Sequence, residues 1–141
     1  MITMCLDSLI ETNKDITEGY KVFDLTWGHI TFILQDGYRL NGKLHDSERD
    51  KIPQRRWIEA VCQSVCDSFL YPYMSGFHFY ETLEGVQEYA HQVGAPWRIM
   101  KIKVKEIMAS GYQCPLESRT DFNKVHVAKE MFILHSVCSS D

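Results

Sequence analysis

The sequence predicts an α+β domain, with a mainly antiparallel sheet of about six strands and two helices packed on one of its faces. Stretches rich in β-branched and aromatic residues follow one another with short turns between them, which favours antiparallel pairing. Two other stretches repeat apolar residues at helical spacing. With 141 residues, the chain has the size of one domain. We therefore predict an N-terminal arm at 1–18, a single domain at 19–135 and a tail at 136–141.

Short elements are predicted through the first third of the chain. Asp36-Gly37 and Asn41-Gly42 are strong hairpin-turn signals, so we expect strands on either side of them. The pattern predicts a short helix in the arm and then three strands, at Leu6–Ile10, Tyr20–Asp24, His29–Gln35 and Tyr38–Leu40.

The longest helix is predicted from Gln54 to about Phe69. Pro53 suits the first turn of a helix. Charged and polar residues fall largely on one side of the predicted helix. The apolar residues recur on the other side, at Trp57, Ile58, Val61, Cys62, Val65 and Phe69.

The five cysteines bear on the compartment and on metal binding. An odd number without a secretion signal favours reduced thiols in a cytoplasm. Cys62 and Cys66 lie one helical turn apart, a spacing that could hold a metal with two further ligands. Free cysteine is among the most buried residue types, so we interpret the pair as small apolar residues on a buried helix face. We predict no metal site and no cofactor.

The aromatic stretch in the middle of the chain is predicted as a turn, a strand and the start of the second helix. Pro72 and Gly76 mark the turn. The run Phe77–Tyr80 has strong strand character. Thr82 is a good N-cap, and apolar residues at helical spacing predict a helix over about Leu83–Val93.

The clearest strand is predicted at Trp97–Ile107. Its apolar residues alternate with Lys101, Lys103 and Lys105, so we expect one face to be buried and the other to be basic and solvated.

The last strand is predicted at Lys124–Leu134. Lys129-Glu130 interrupts its alternation, which indicates a bulge or a sheet edge. We expect the residues from His135 to the C-terminus to be frayed.

The histidines give no strong catalytic motif, and we predict no catalytic residue. His29 and Thr31 form one His-x-Thr pair, of which two-histidine phosphoesterases use two copies. Neither His78 nor His126 has a serine or threonine two positions later, so the second copy is missing. His78, between two phenylalanines, either braces a turn or acts as a ligand contact or general base.

The candidate contacts for a ligand or partner are basic and aromatic. The lysine face could hold a nucleotide phosphate or an acidic protein, and Arg55 and Arg56, in the first turn of the predicted helix, could add to it. The alternative is a solvated face, because lysines on an exposed strand also prevent aggregation. Trp27 and Trp57 are aromatic surfaces on which a base could stack, with core packing as the alternative. The candidate residues are His78, Tyr80, Trp27, Arg55, Arg56, Lys101, Lys103 and Lys105.

Composition excludes several classes of protein. The net charge of −4 does not suggest a partner made of long nucleic acid. No apolar run approaches the roughly 20 residues of a membrane span. The first residues have no basic region and no long apolar run, so we expect no signal peptide.

Five short segments follow one another along most of the chain: Gly19–Phe23, Ser75–Phe79, Thr82-Leu83-Glu84, Lys101–Val104 and Val127–Met131. This ordered set resembles small phage and prophage proteins of unassigned function. The order of the segments is kept, although an insert from about Asn41 to Phe69 departs from the pattern. The resemblance brings no catalytic residues and implies a bacteriophage accessory protein in the host cytoplasm.

The favoured function is a non-catalytic binding protein, a phage counter-defence inhibitor that binds a host defence protein or sequesters a nucleotide signal. An exposed strand and a surface rich in Trp and Tyr would also suit a homodimer. The alternative is a nucleotide-processing enzyme, such as a phosphoesterase or an ADP-ribosyltransferase-like protein, that uses His78 or His29.

Overall fold

The computed structural model describes residues 8–33, 37–45, 51–61, 64–65, 73–74, 76–112 and 124–140. Over these residues the chain forms an eight-stranded sheet, a two-stranded sheet and one α-helix. The strands are β1 (Ser8–Ile10), β2 (Glu18–Asp24), β3 (Tyr38–Leu40), β4 (Lys43–His45), β5 (Trp57–Ala60), β6 (Ser64–Val65), β7 (Tyr73–Met74), β8 (Phe77–Tyr80), β9 (Trp97–Tyr112) and β10 (Lys124–Ser139), and the helix is α1 (Leu83–Ala90). No helix in these ranges is long and apolar enough to cross a membrane.

The antiparallel sheet that the sequence predicts is confirmed, and β9 and β10 form its spine. These two 16-residue strands pair along their whole length, from Lys124 opposite Tyr112 to Ser139 opposite Arg98. The register shifts at three places, the first between Val127 and Ala128. Bulges of this kind bend and twist a strand, which lets a long hairpin curl.

Four strands close into a ring. β2 pairs with the first half of β9, and β8 pairs with the first half of β10. Because β9 and β10 are also partners, the single pair Tyr20 and Tyr80 between β2 and β8 completes the circuit β9–β2–β8–β10. β5, β3 and β4 extend the sheet from the middle of β10, where residues 130–132 pair with β5.

The apolar core has two parts, one on each side of this sheet. Neighbouring strand residues alternate between them: Phe23 belongs to one cluster and Val22 to the other. The helix α1 covers the second cluster with Val86 and Ala90, both fully buried. The Thr82 hydroxyl accepts the Gly85 N–H and so caps the helix, as predicted.

The predicted helix from Gln54 to about Phe69 is wrong over the described residues. Residues 57–60 form β5, in which Ile58 and Ala60 are buried while Trp57 and Glu59 are half-buried. Arg55 has a positive φ of 59°, which is incompatible with a right-handed helix at this residue. The edge of β10 offers backbone partners, and β-branched and aromatic residues suit a half-buried strand, so pairing overrides the helical periodicity. The domain thus has one described helix rather than two.

Three smaller predictions also need correction. Residues 8–10 of the arm form a strand against β9, where a helix was expected. In the described part of His29–Gln35, only an isolated bridge between Asp24 and Thr31 forms. The C-terminal residues expected to fray continue β10 to Ser139, because β9 supplies partners up to Arg98.

The predicted turn at Asn41-Gly42 is confirmed. Both residues have positive φ, 52° and 81°, as a two-residue hairpin turn of the primed type requires. It joins β3 to β4. The other predicted turn includes Asp36, which lies outside the described residues.

Candidate functional site

The three lysines of β9 lie beside three aromatic rings on neighbouring strands. Lys101 Nζ is 4.4 Å from the centre of the Tyr20 ring. Lys103 Nζ is 5.9 Å from the centre of the Phe132 ring, and Lys105 Nζ is 4.0 Å from that of Trp57. We call these six side chains, on β2, β5, β9 and β10, the lysine–aromatic face: Tyr20, Trp57, Lys101, Lys103, Lys105 and Phe132.

Strand register explains why these residues meet. Tyr20 stands opposite Lys101, and Phe132 stands opposite both Lys103 and Trp57. Residues directly opposite each other in a sheet point to the same side. Lys103 and Lys105 are exposed, and the other four side chains are half-buried, so the face is open to solvent. The prediction of a basic, solvated side of this strand is confirmed.

Three carboxylates border the face. Glu18 Oε2 lies 3.9 Å from Lys101 Nζ, a long and half-exposed contact that contributes little to stability. Glu130 stands opposite Lys105, and Glu59 stands opposite Glu130. Glu18 is also the register partner of Lys103, so Lys103 and Lys105 each stand opposite a carboxylate that offsets part of their positive charge.

Arg55 and Arg56 lie directly before β5, next to β10. The guanidinium of Arg55 donates to the Leu134 carbonyl at 2.9 Å. Both arginines are exposed. Trp27 is 48% exposed and lies in the turn after β2. The rings that contact the three lysines of β9 are those of Tyr20, Phe132 and Trp57. Trp27 is therefore not part of the lysine–aromatic face.

His78 and Tyr80 lie within the sheet rather than on its surface. Both are 6% exposed, and all four residues of β8 are buried. The His78 Nδ1–H donates to the Gly76 carbonyl at 3.2 Å, which ties the histidine to the turn before its strand. Burial and the nearby Lys21 lower the pKa of His78 to about 3, so its imidazole is neutral at pH 7.

Lys21 is a buried lysine that the sequence analysis did not single out. Its Nζ donates to the His78 carbonyl at 2.6 Å and lies about 6 Å from the rings of Phe23 and Phe32. Burial lowers the pKa of Lys21 to about 7, so the amine is partly neutral at neutral pH. The signal in the sequence was a single lysine in the alternation of β2, next to Val22 and Phe23.

A second group missed by the sequence analysis is a buried hydrogen-bonded chain, which we call the Ser–His–Glu relay: Ser110, His126 and Glu81. His126 Nε2–H donates to Glu81 Oε1 at 2.6 Å, and His126 Nδ1 accepts from the Ser110 hydroxyl at 2.6 Å. The Ser110 oxygen in turn accepts the Asn13 N–H at 3.3 Å. These partners are 16, 45 and 97 residues apart in the chain, and only the strand register brings them together.

The relay has the residue types of a hydrolase triad, but its serine is buried and its acid is partly exposed. Ser110 and His126 are fully buried, and the acid is the member that reaches the surface, with 25% of its side chain exposed. A serine nucleophile must meet a substrate, whereas this hydroxyl faces the backbone of the N-terminal arm. Burial lowers the pKa of His126, although Glu81 acts in the opposite direction. The relay therefore joins β9, β10, the arm and the start of α1.

Metal ligands are not clustered in the described ranges. No group of three or more His, Cys, Asp or Glu side chains there could hold a metal ion. Cys62 and Cys66, the pair that the sequence analysis considered, lie outside those ranges. Cys138 is a free, half-buried thiol near the end of β10.

Comparisons of the chain with family models, curated proteins and solved structures returned no match.

Proposed function

We propose that the protein is a non-catalytic binding protein, and that the lysine–aromatic face holds an anionic, nucleotide-like ligand. One observation carries this proposal: each of the three lysines of β9 places its ammonium within 6 Å of the centre of a half-buried aromatic ring. Positive charge alternating with aromatic surface is the combination by which proteins bind phosphates and stack bases.

A base stacked on one of these rings is bound more strongly than the lysine ammonium that lies over the ring in the free protein. An ammonium over an exposed ring is stabilised by about 0.5–1 kcal/mol. Stacking a base on the same ring contributes about 1–3 kcal/mol. A phosphate that draws the lysine off the ring therefore frees a surface on which a base binds more strongly than the ammonium did.

The biological setting of the proposal rests on the resemblance to phage proteins. In that setting the protein is a phage-encoded counter-defence inhibitor that acts in the host cytoplasm and sequesters a nucleotide signal. Binding of a host defence protein, through the same face with Arg55 and Arg56 beside it, is the second form of the proposal. Either form is compatible with a homodimer.

A histidine-dependent enzyme on nucleotides has less support. A general base should have a pKa near the working pH, and the pKa of His78 is about 3. His78 is also 6% exposed, and its Nδ1 already binds the Gly76 carbonyl. His29, the other candidate, lies half-buried in the turn before the bridge at Thr31.

Native mass spectrometry of the purified protein after incubation with a bacterial extract tests the proposal. We expect an added mass of a few hundred daltons or more, and we expect Lys103→Glu to remove it. Lys43→Glu is the control, because Lys43 is exposed on β4, away from the face. An added mass of tens of kilodaltons would favour a protein target, and the masses also give the oligomeric state. Ligand retained by the Lys103 variant would contradict the proposed site.

A further inference from the structure

The lysine row is longer than one phosphate group. Lys101 and Lys105 are four residues apart on β9, a span of about 13 Å at the rise of an extended strand. Lys103 lies between them and is exposed. A ligand that engages all three ammonium groups must therefore carry phosphates at more than one place along its length.

Aromatic rings flank the row on both sides. Tyr20 lies on the β2 side of β9, and Phe132 and Trp57 lie on the β10 side. The Phe132 and Trp57 rings are 5.5 Å apart and tilted by 52°. Bases that leave a phosphate path on either side could each meet a ring, which a double helix with its bases stacked inside does not allow.

Charge limits the length of the ligand. The chain has a net charge of −4, so outside the face it repels a long polyanion. Glu18 and Glu130 stand opposite Lys103 and Lys105 on the two sides of the lysine row, and each repels a phosphate that leaves the line of β9. The favoured ligand is short, multiply charged and single-stranded.

We propose that the lysine–aromatic face binds a short single-stranded oligonucleotide, with its phosphates along Lys101, Lys103 and Lys105 and its bases on Tyr20, Phe132 and Trp57. The inference rests on the proposed function and names its ligand class. Specificity for one base is not expected, because every base has a face that can stack.

The test is fluorescence polarisation with a labelled hexathymidylate, with unlabelled ATP, inorganic polyphosphate and a duplex of the same length as competitors. We expect the single strand to bind and to compete best. The logarithm of the binding constant should fall with the logarithm of salt concentration with a slope of about −2, the value for three phosphate contacts on a single strand. Trp57→Leu should weaken binding by about 5- to 150-fold, and Lys105→Gln should make the salt slope shallower.

Two controls separate the face from general effects. Trp27→Leu removes a tryptophan that is exposed elsewhere, and Lys43→Gln removes an exposed lysine on β4. Both should keep the affinity of the parent protein. If the Trp57→Leu variant unfolds, the Lys105→Gln variant is used for the test. It should stay folded, because Lys105 is exposed and its replacement leaves no cavity.

Each other outcome overturns the inference. If ATP competes as well as hexathymidylate, the ligand is a mononucleotide, and the proposed function stands without the oligonucleotide. If polyphosphate competes best, the rings play no part. If no nucleotide binds but a protein from the extract is held through Lys103, a protein-binding function remains. If none of these binds, both proposals fail.

Discussion

Burial of the Lys21 amine makes the stability of the fold depend on pH. In the unfolded chain a lysine titrates near 10.5, whereas the pKa of Lys21 in the fold is about 7. Between these values the unfolded chain binds more protons than the folded protein. The free energy of unfolding must therefore rise with pH over this window, at up to about 1.4 kcal/mol per pH unit from this residue. Below pH 7 the amine is charged in both states, and its full burial cost is present.

Lys21→Met is expected to raise the free energy of unfolding at pH 7 by about 1–4 kcal/mol, because an apolar chain of similar length replaces a buried amine. Loss of the bond to the His78 carbonyl opposes this gain by about 1 kcal/mol. Urea unfolding from pH 6 to pH 10 measures both effects, since the variant should lack the rise that the parent shows. Lys43→Met, at an exposed site, should run parallel to the parent. A less stable variant that keeps the parent's slope would contradict this assignment.

The Ser–His–Glu relay is expected to act in stability rather than in catalysis. Ser110→Ala leaves His126 Nδ1 buried without its partner, which costs about 1–3 kcal/mol. Chemical denaturation measures the loss, and Ser136→Ala, at an exposed position of β10, should change stability by less than about 0.5 kcal/mol.

A double-mutant cycle separates the relay from simple loss of packing. Ser110→Ala and His126→Leu together should cost less than the sum of the two single changes, with a coupling of about 0.5–3 kcal/mol. Additive losses would mean that the two side chains do not act as a unit. Labelling of Ser110 by a fluorophosphonate probe would instead show that it is an accessible nucleophile.

Among the elements, the sequence predicted those whose pattern is local. The alternation of lysines and apolar residues in β9, the turn at Asn41-Gly42 and the Thr82 cap each depend on neighbours a few residues away. The prediction of a helix at β5 was wrong because the apolar residues there fit both the helical and the strand period. Pairing with the edge of β10, more than 70 residues later in the chain, determines that they form a strand. The extension of β10 to Ser139 also depends on a distant partner, Arg98 of β9.

The candidate site divides in the same way. The sequence predicted the lysines of the site because they share one strand. It did not predict two of the rings, Tyr20 and Phe132, because their positions depend on the register of three strands. Trp57 was predicted on the apolar face of a helix, either packed in the core or available for stacking, and it lies instead on a strand beside Lys105. No pattern in the sequence links Ser110, His126 and Glu81, because residues this far apart have no shared period.

The junction between β2 and β8 tolerates no side chain at Gly19. A Cβ there would lie 2.7 Å from the Tyr80 carbonyl oxygen and against the ring of Phe79, which is 1% exposed. Gly19→Ala is expected to lower the free energy of unfolding by about 1–3 kcal/mol, because neither the backbone nor the buried ring can move away freely.

Thermal or urea unfolding measures this change, with Gly94→Ala as the matched control. Nothing lies within 4 Å of a Cβ at Gly94, so that variant should be neutral or gain up to about 1 kcal/mol. Equal effects at the two glycines would mean that the ring of strands is not closed tightly at Gly19.

Across the whole molecule, the closed ring of β9, β2, β8 and β10 concentrates the backbone pairing. Residues 125–128 of β10 lie between β8 and β9, and residues 98–103 of β9 lie between β2 and β10. Residues 125–128 are all buried, and so are three of the six residues 98–103. Within the described ranges, the hairpin of β3 and β4 pairs with the rest of the sheet through β3 and β5 alone, and Tyr38 is its one buried side chain.

This difference predicts a gradient of amide hydrogen exchange. Opening the central ring disrupts both core clusters, so exchange at 98–103 and 125–128 should require global unfolding. Opening the β3–β4 hairpin exposes little apolar surface, so its amides should exchange at least about a hundredfold faster. Exchange at constant pH, followed by mass spectrometry of peptides, measures the two rates. Gly19→Ala should speed exchange in the ring while leaving the hairpin rates unchanged, because the hairpin already opens without it. Slower exchange in the hairpin than in the ring would contradict the assignment of the ring as the most stable part of the fold.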